Sequence, residues 1–249
     1  MKVIPVPVLT DNYAYLVVDE ASGSAVVVDP SQHLQVLSEL QQRALTLEQI
    51  WLTHHHWDHV GGVGPLCDAL GPVPIYASAH DLGERRIPGQ THGLQEGEPH
   101  AFQGREVRVL EIPGHTLGAI AYAIDGELFS GDTLFVAGCG RVFEGTMAMM
   151  QQSLEKLRQL PPETRVWCGH EYTLQNLRYA LTVEPDSEAV RAALAQAERV
   201  RSEGRPTVPS TIGDELLINP FLRFDAPGVA RGRGEVETFT ALREGKDRF

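Results

Sequence analysis

Four of the chain's ten histidines fall within residues 54–59, in the run His54-His55-His56-Trp57-Asp58-His59. The run follows a β-branched stretch, Ile50–Thr53, and precedes Val60-Gly61-Gly62. A loop leaving a strand can aim several side chains at one point beyond the sheet, where ligands tend to bind. Alternation turns His54 and His56 the same way and His55 away from them, with Asp58 and His59 past the bend. Neutral imidazole and carboxylate are good donors to zinc and similar divalent metals. The chemistry written in this spacing is metal-assisted.

Six adjacent residues cannot complete two metal spheres, so further donors are required downstream. Three candidates follow β-runs beside glycine: His115 in Pro113-Gly114-His115-Thr116, Asp132 in Ser130-Gly131-Asp132-Thr133, and His170 in Cys168-Gly169-His170-Glu171. An adjacent-histidine run alone is usually solvated, but three more donors in matching contexts argue for a metal centre. No G-x-S-x-G nucleophile elbow competes with it. Cys168 reads as a buried strand residue. Asp29, before Pro30, suits either a hydrogen bond to a ligand histidine or a plain turn. His33, His80, His92 and His100 read as surface residues, and Trp57 as packing.

Short β-branched runs supply the scaffold: Val3–Val8, Tyr13–Val18, Ala25–Val28, Ile50–Thr53, Val73–Tyr76, Val107–Ile112, Ala119–Ile124, Leu128–Phe129 and Arg165–Cys168. Thr146 is a candidate N-cap for a helix whose Met147, Met150, Leu154 and Leu157 share one face. After residue 170 the pattern turns helical, over Tyr172–Val183 and Ser187–Ser202, and ends in Gly/Pro-broken segments and a charged tail. The expectation is an α/β fold with a sheet domain over 1–170 and a smaller helical domain over 171–249.

Composition sets the outer bounds. At 249 residues, 42% apolar and 22% charged, the chain is a folded globular protein that needs no staple to fold. Three cysteines without a C-x-x-C pair support neither a disulfide framework nor a thiol-rich zinc knuckle. The amino-terminal Lys2–Asp11 stretch, broken by two prolines, is neither a signal segment nor a membrane span, so a cytoplasmic protein without a membrane partner is expected. A net charge of −12 disfavours nucleic acid as a partner. A monomer is expected.

T-H-x-H-x-D-H resembles the signature of the metallo-β-lactamase superfamily. The strings P-G-H-T, G-D-T-L-F, G-C-G-R-x-F-E-G-T and H-E-Y-T, with the closing Lys246-Asp247-Arg248-Phe249, look like the glyoxalase II (hydroxyacylglutathione hydrolase) family over essentially the whole chain. The resemblance implies an αβ/βα sandwich, residues 1–170, as the catalytic domain, and a C-terminal helical domain, 171–249, that supplies part of the substrate site. It implies two divalent ions, zinc in first place, with iron or manganese possible. His54, His56 and His115 resemble the ligands of the first ion, and Asp58, His59 and His170 those of the second. Asp132 resembles the bridging carboxylate, and with Asp58 it is the implied catalytic pair. Seven donors are too many for one tetrahedral ion but suit two ions ~3.5–4 Å apart. The two ions' charge of +4, less Asp58, Asp132 and a bridging hydroxide, leaves about +1, enough to lower the pKa of bound water towards ~7.

The implied reaction is hydrolysis of S-D-lactoylglutathione to D-lactate and glutathione by a metal-bridging hydroxide, the second step of methylglyoxal detoxification. A thiolate leaving group, with a conjugate acid near ~8.5, requires no strong general acid. Arg141, Phe143, Tyr172, Arg243 and Lys246 stand at the family's glutathione-contacting positions; Phe143 departs from the tyrosine of animal relatives and lacks its hydroxyl. A persulfide dioxygenase shares the scaffold but uses a single iron, and the full second-site set and the G-C-G-R loop argue against it. A lactamase is disfavoured by Asp58 in the second site, a nuclease by the acidic charge. A metal-holding module without activity is the non-enzyme alternative.

Overall fold

A computed structural model describes residues 1–249. The chain forms two compact units: Met1–Glu111 with Gly118–Asp125, and Ile112–Leu117 with Gly126–Phe249.

In the first unit, strands β1 (Lys2–Val8), β2 (Asn12–Asp19), β3 (Ser24–Val28), β4 (Thr46–Trp51), β5 (Ile75–Ser78) and β6 (His92–Leu94) form one sheet in that order. The first three are antiparallel and joined by short turns. From β3 to β6 the pairing is parallel. Parallel neighbours need crossovers. These are α1 (His33–Gln42), then α2 (Trp57–Val60) with α3 (Val63–Leu70), then α4 (Ala79–Gly83). Ile4, Val6 and Val8 of β1 point inward and pack with Val27, Val36, Ile50 and Leu66, which buries the helix-facing side. A small hairpin, β7 (Ala101–Phe102) and β8 (Arg105–Glu106), and the antiparallel pair β9 (Arg108–Glu111) and β10 (Ile120–Ile124) complete the unit.

The second unit pairs β11 (Glu127–Gly131) in parallel with β14 (Arg165–Cys168), which pairs antiparallel with β15 (Ser210–Thr211). Between β11 and β14 lie a hairpin, β12 (Leu134–Phe135) with β13 (Gly138–Cys139), and α5 (Met147–Arg158). Helices α6 (Thr173–Val183), α7 (Glu188–Ser202), α8 (Ile212–Ile218), a 3-10 turn at Pro220–Leu222, α9 (Pro227–Ala230) and α10 (Glu235–Arg248) follow. Leu177, Ala180, Val190, Ala197 and Ile218 form a helical core with Ala137. No helix is long and apolar enough to cross a membrane.

Thr146 and Ser187 are side-chain N-caps, accepting from the amides of Met149 and Val190. The expected strand Val73–Tyr76 begins later, at Ile75, because Pro74 has no N–H to donate to a ladder. The charged tail is a helix: in α10, Phe239 and Leu242 are buried, a stripe masked in the sequence by the surrounding charges. His100 is not a surface residue. Its ring packs at 5.5 Å from Trp51 and 4.5 Å from Tyr76, and burial pushes its pKa down to about 4. Trp57 does not pack: on the single-turn α2 it is turned outward and 69% exposed.

Candidate metal centre

Strands β3 and β4 are parallel neighbours with Val28 opposite Trp51, so the residues that follow both strands emerge side by side. After β3 comes Asp29, in left-handed backbone at φ 49. That conformation costs a non-glycine residue on the order of 1 kcal/mol. Asp29 offsets it through its carboxylate, which accepts from the Thr53 amide at 2.8 Å and the Thr53 hydroxyl at 2.7 Å. Its Oδ2 also lies 2.9 Å from His59 Nδ1, so of the two roles open to it Asp29 makes the hydrogen bond to a histidine rather than a plain turn. His54 Nδ1 lies 3.0 Å from the Thr53 hydroxyl. With Nδ1 of both rings engaged, Nε2 is the atom each presents as donor.

His54 Nε2 and His56 Nδ1 are 3.1 Å apart. Two donors on one tetrahedral ion with bonds of ~2.0–2.1 Å stand about 3.3 Å apart, so the spacing fits shared coordination. Asp29, His54 and His59 each bring one donor atom to within 4.8 Å of the others'. Asp58 and His59 lie on α2. Asn12 Nδ2 donates to the Asp58 carboxylate and to its carbonyl at 3.1 Å each, and the Ser31 hydroxyl donates to the same carbonyl. His55 faces the buried Asp81, Nδ1 to Oδ1 3.7 Å, as alternation requires.

The second unit repeats the device. Gly131 pairs with Cys168 at the ends of parallel β11 and β14, which sets Asp132 beside His170. His170 Nε2 and His115 Nε2 lie 3.2 and 3.5 Å from the same Asp132 Oδ2. Both histidines thus meet one carboxylate oxygen, and all three residues are buried. His115 Nδ1 donates to the Arg141 carbonyl at 2.8 Å, the tautomer that leaves Nε2 for a metal. Gly140 is required there, since a side chain would overlap the Asp132 carbonyl. Histidine and carboxylate donors, their rings fixed by protein contacts, are the donor chemistry that suits divalent metal.

The expected substrate residues all lie in the second unit. Arg141 is 63% exposed, its Nε 3.4 Å from Asp247. The Phe143 ring, exposed, sits 5.2 Å from that of His115. Tyr172 stacks on His170 at 4.7 Å and packs edge-on against Phe135. Arg243 is buried; its Nη1 donates to the Cys139 carbonyl at 2.7 Å and its Nη2 pairs with Asp247 at 3.0 Å. Lys246 Nζ donates to the Gln175 carbonyl at 3.2 Å. Cys168 is buried, which pushes its thiol up to about 12 and removes it as a nucleophile. Sequence reasoning missed Asn12 and Ser31, which hold the Asp58 loop. Polar residues beside a strand end were the available signal, but they are common at turns.

Residues 8–170 match the family model of the metallo-beta-lactamase superfamily, and residues 171–249 match that of the hydroxyacylglutathione hydrolase C-terminus. A hydroxyacylglutathione hydrolase of Synechococcus sp. (strain JA-3-3Ab) is 49% identical, with 100% of each chain covered. Among solved structures, ETHE1 from Myxococcus xanthus superposes with a TM-score of 0.71 at 27% identity, over 98% of this chain and 90% of that one. TTHA1623 in a di-iron-bound form gives a TM-score of 0.60 at 29% identity, over 89% of this chain and 100% of that one.

Proposed function

We infer the reaction from one premise: the chain belongs to the hydroxyacylglutathione hydrolase family of the metallo-beta-lactamase superfamily. It has the metallo-beta-lactamase fold with a helical C-terminal domain, in keeping with the expected α/β class. It is a metal-dependent hydrolase of hydroxyacylglutathione. The fold and the histidine–aspartate clusters indicate divalent metal. The proposal goes further and assigns two ions. His54, His56 and His115 would hold the first, Asp58, His59 and His170 the second, and Asp132 both. Zinc is the metal proposed, with iron or manganese acceptable to the same donors. The solved di-iron-bound relative supports a two-ion site of this general kind.

Such ions, when bound, acidify water towards neutrality and polarise a carbonyl. This chain's residues supply the rest. Asp29 and the Arg141 carbonyl fix the rings of His59 and His115. The thiolate leaving group of the thioester needs no proton donor nearby, and burial raises the thiols of Cys139 and Cys168 to about 11 and about 12, which keeps them from competing as nucleophiles. Glutathione's carboxylates call for cations, which Arg141 and Lys246 offer, while buried Arg243 braces the loop that carries Arg141. Tyr172 brings a hydroxyl to the moiety, and Phe143 a ring face without one. Residues 1–170 would thus carry the chemistry and 171–249 the grip on substrate, in a cytoplasmic monomer with neither nucleic-acid nor membrane partner.

One observation carries this reading over a lactam-opening enzyme on the same fold. Within the segment matching the hydroxyacylglutathione hydrolase C-terminus, Arg243 and Lys246 lie on α10, and Arg243 is bonded to the Cys139 carbonyl beside Gly140-Arg141. The substrate proposed is S-D-lactoylglutathione, giving D-lactate and glutathione. Purified, metal-loaded protein should hydrolyse it, and lose activity on chelation; a metal-replete protein without turnover overturns the proposal. Asp132→Ala should abolish turnover and leave fewer than two metals per chain. Retention of both would show that Asp132 does not bridge.

A further inference from the structure

The β12–β13 hairpin turns through Val136-Ala137, without the glycine or asparagine that two-residue hairpin loops favour. Ala137 is left-handed at φ 52, a conformation unfavourable for alanine. The turn is held from outside by three buried side chains. Asn176 Nδ2 donates to the Val136 carbonyl at 3.0 Å. Asn219 Nδ2 donates to the Phe135 carbonyl at 3.2 Å and the Gly138 carbonyl at 3.0 Å. Glu215 Oε2 accepts from the Ala137 amide and from Asn219 Nδ2, at 2.8 Å each. Glu215 therefore holds both the strained amide and the side chain that ties the two strands together.

Its position calls for a reason. Glu215 stands between Ile212 and Ile218 on the buried stripe of α8 and has no solvent exposure. A buried carboxylate is unfavourable unless its hydrogen bonds are specific. The hairpin it grips is the link between two parts of the site. Thr133, next to Asp132, accepts from the Gly140 amide at 3.3 Å, and the strand β13 runs directly into Gly140-Arg141. Gly138 admits no side chain, because one would overlap the Asn176 amide. The hairpin is thus packed closely against Asn176 and tied to α8 and the residue after it through Glu215 and Asn219.

We propose that Glu215 is a positioning residue for substrate recognition: by gripping the Val136-Ala137 turn it fixes the Cys139-Gly140-Arg141 arm, and so the point from which Arg141 meets the anionic end of the glutathione moiety. The inference rests on the thioesterase reading above. Burial lifts the Glu215 carboxyl to about 7, against the opposing influence of Ser210, Asn219 and the Ala137 amide. Near neutrality an uncharged carboxyl is thus readily accessible, and glutamine is its close mimic.

The test is steady-state kinetics of metal-loaded enzyme on S-D-lactoylglutathione, with metal content measured alongside. Glu215→Gln keeps an acceptor oxygen in place, and its KM should stay within about two-fold of wild type. Glu215→Ala removes the acceptor, and Glu215→Asp withdraws it from the Ala137 amide. Each should raise KM about ten-fold, the worth of one good buried hydrogen bond, with kcat and metal content little changed. If Glu215→Ala does not fold, Glu215→Asp carries the test. An unchanged KM in Glu215→Asp overturns the proposal, as does a kcat that falls in step with lost metal. Wild type inert towards the thioester sinks the underlying reading and this one with it; active wild type with no KM response sinks this one alone.

Discussion

Lys246 is a cation held partly out of water. Burial, and then the charge of Arg243, pulls its ammonium down to about 8, while the rings of Tyr179 and Phe249 lie 5.5 and 5.2 Å from Nζ. A lysine with a lowered pKa is charged below that value and neutral above it. Affinity for an anionic thioester should therefore weaken as pH passes 8, appearing as a rise in KM between pH 7 and 9. Lys246→Arg, which stays charged, should flatten that limb, and Lys246→Ala should raise KM throughout with a smaller effect on kcat. A KM that is flat across this range in wild type would remove Lys246 from the substrate site. At this scale the candidate donors were legible, because side-chain type and local spacing state them directly. The buried placement of Arg243 was not, because its partner Cys139 is 104 positions away.

Helix α8 carries a pH-dependent term in its own stability. Burial raises the Glu215 carboxyl to about 7 in the folded chain, above the ordinary glutamate value of about 4.5. Between these values the folded chain binds more protons than the unfolded one, so the Glu215 contribution to stability is present below about 4.5 and lost as pH rises through 7. Glu215→Gln has no such loss. Chemical denaturation should show the variant gaining on wild type between pH 5 and 8; a constant difference would place the Glu215 pKa elsewhere. The hairpin it holds is an element no local rule foresees, since Val136-Ala137 offers no turn signal. The N-caps at Thr146 and Ser187 were foreseeable, because a cap is a contact three residues long. Helix α10 lies between these cases. Its buried face is short, and its three cations and four anions, with Arg231 and Arg233 just before it, disguise it as a solvated tail.

Across the whole molecule, the net charge of −12 is uneven: residues 231–249 hold +1, leaving −13 on the remainder. On the proposed reading, attraction of an anionic substrate is therefore local, from Arg141, Lys246 and bound metal. The donors lie in segments distant in sequence, so a ligand that gathers them stabilises the native state by mass action. Metal at about a thousand times its dissociation constant adds about 4 kcal/mol, and for a chain of this size chelation should lower Tm on the order of 10 °C. Calorimetry with and without chelator would measure it. An unchanged Tm would mean that metal contributes nothing to folding stability.

The sequence by itself showed the candidate donors, their strand-then-glycine contexts and the strand-to-helix change near residue 170, because each is written in residue type and short-range spacing. Tertiary structure alone decided which nitrogen of His59 and His115 is presented, since Asp29 is 30 positions from His59 and the Arg141 carbonyl 26 from His115. It alone brought a glutamate on α8 to an amide 78 positions earlier. Hydrogen bonds of this reach depend on which strands and helices become neighbours, and that follows from the burial of the whole core rather than from any local pattern.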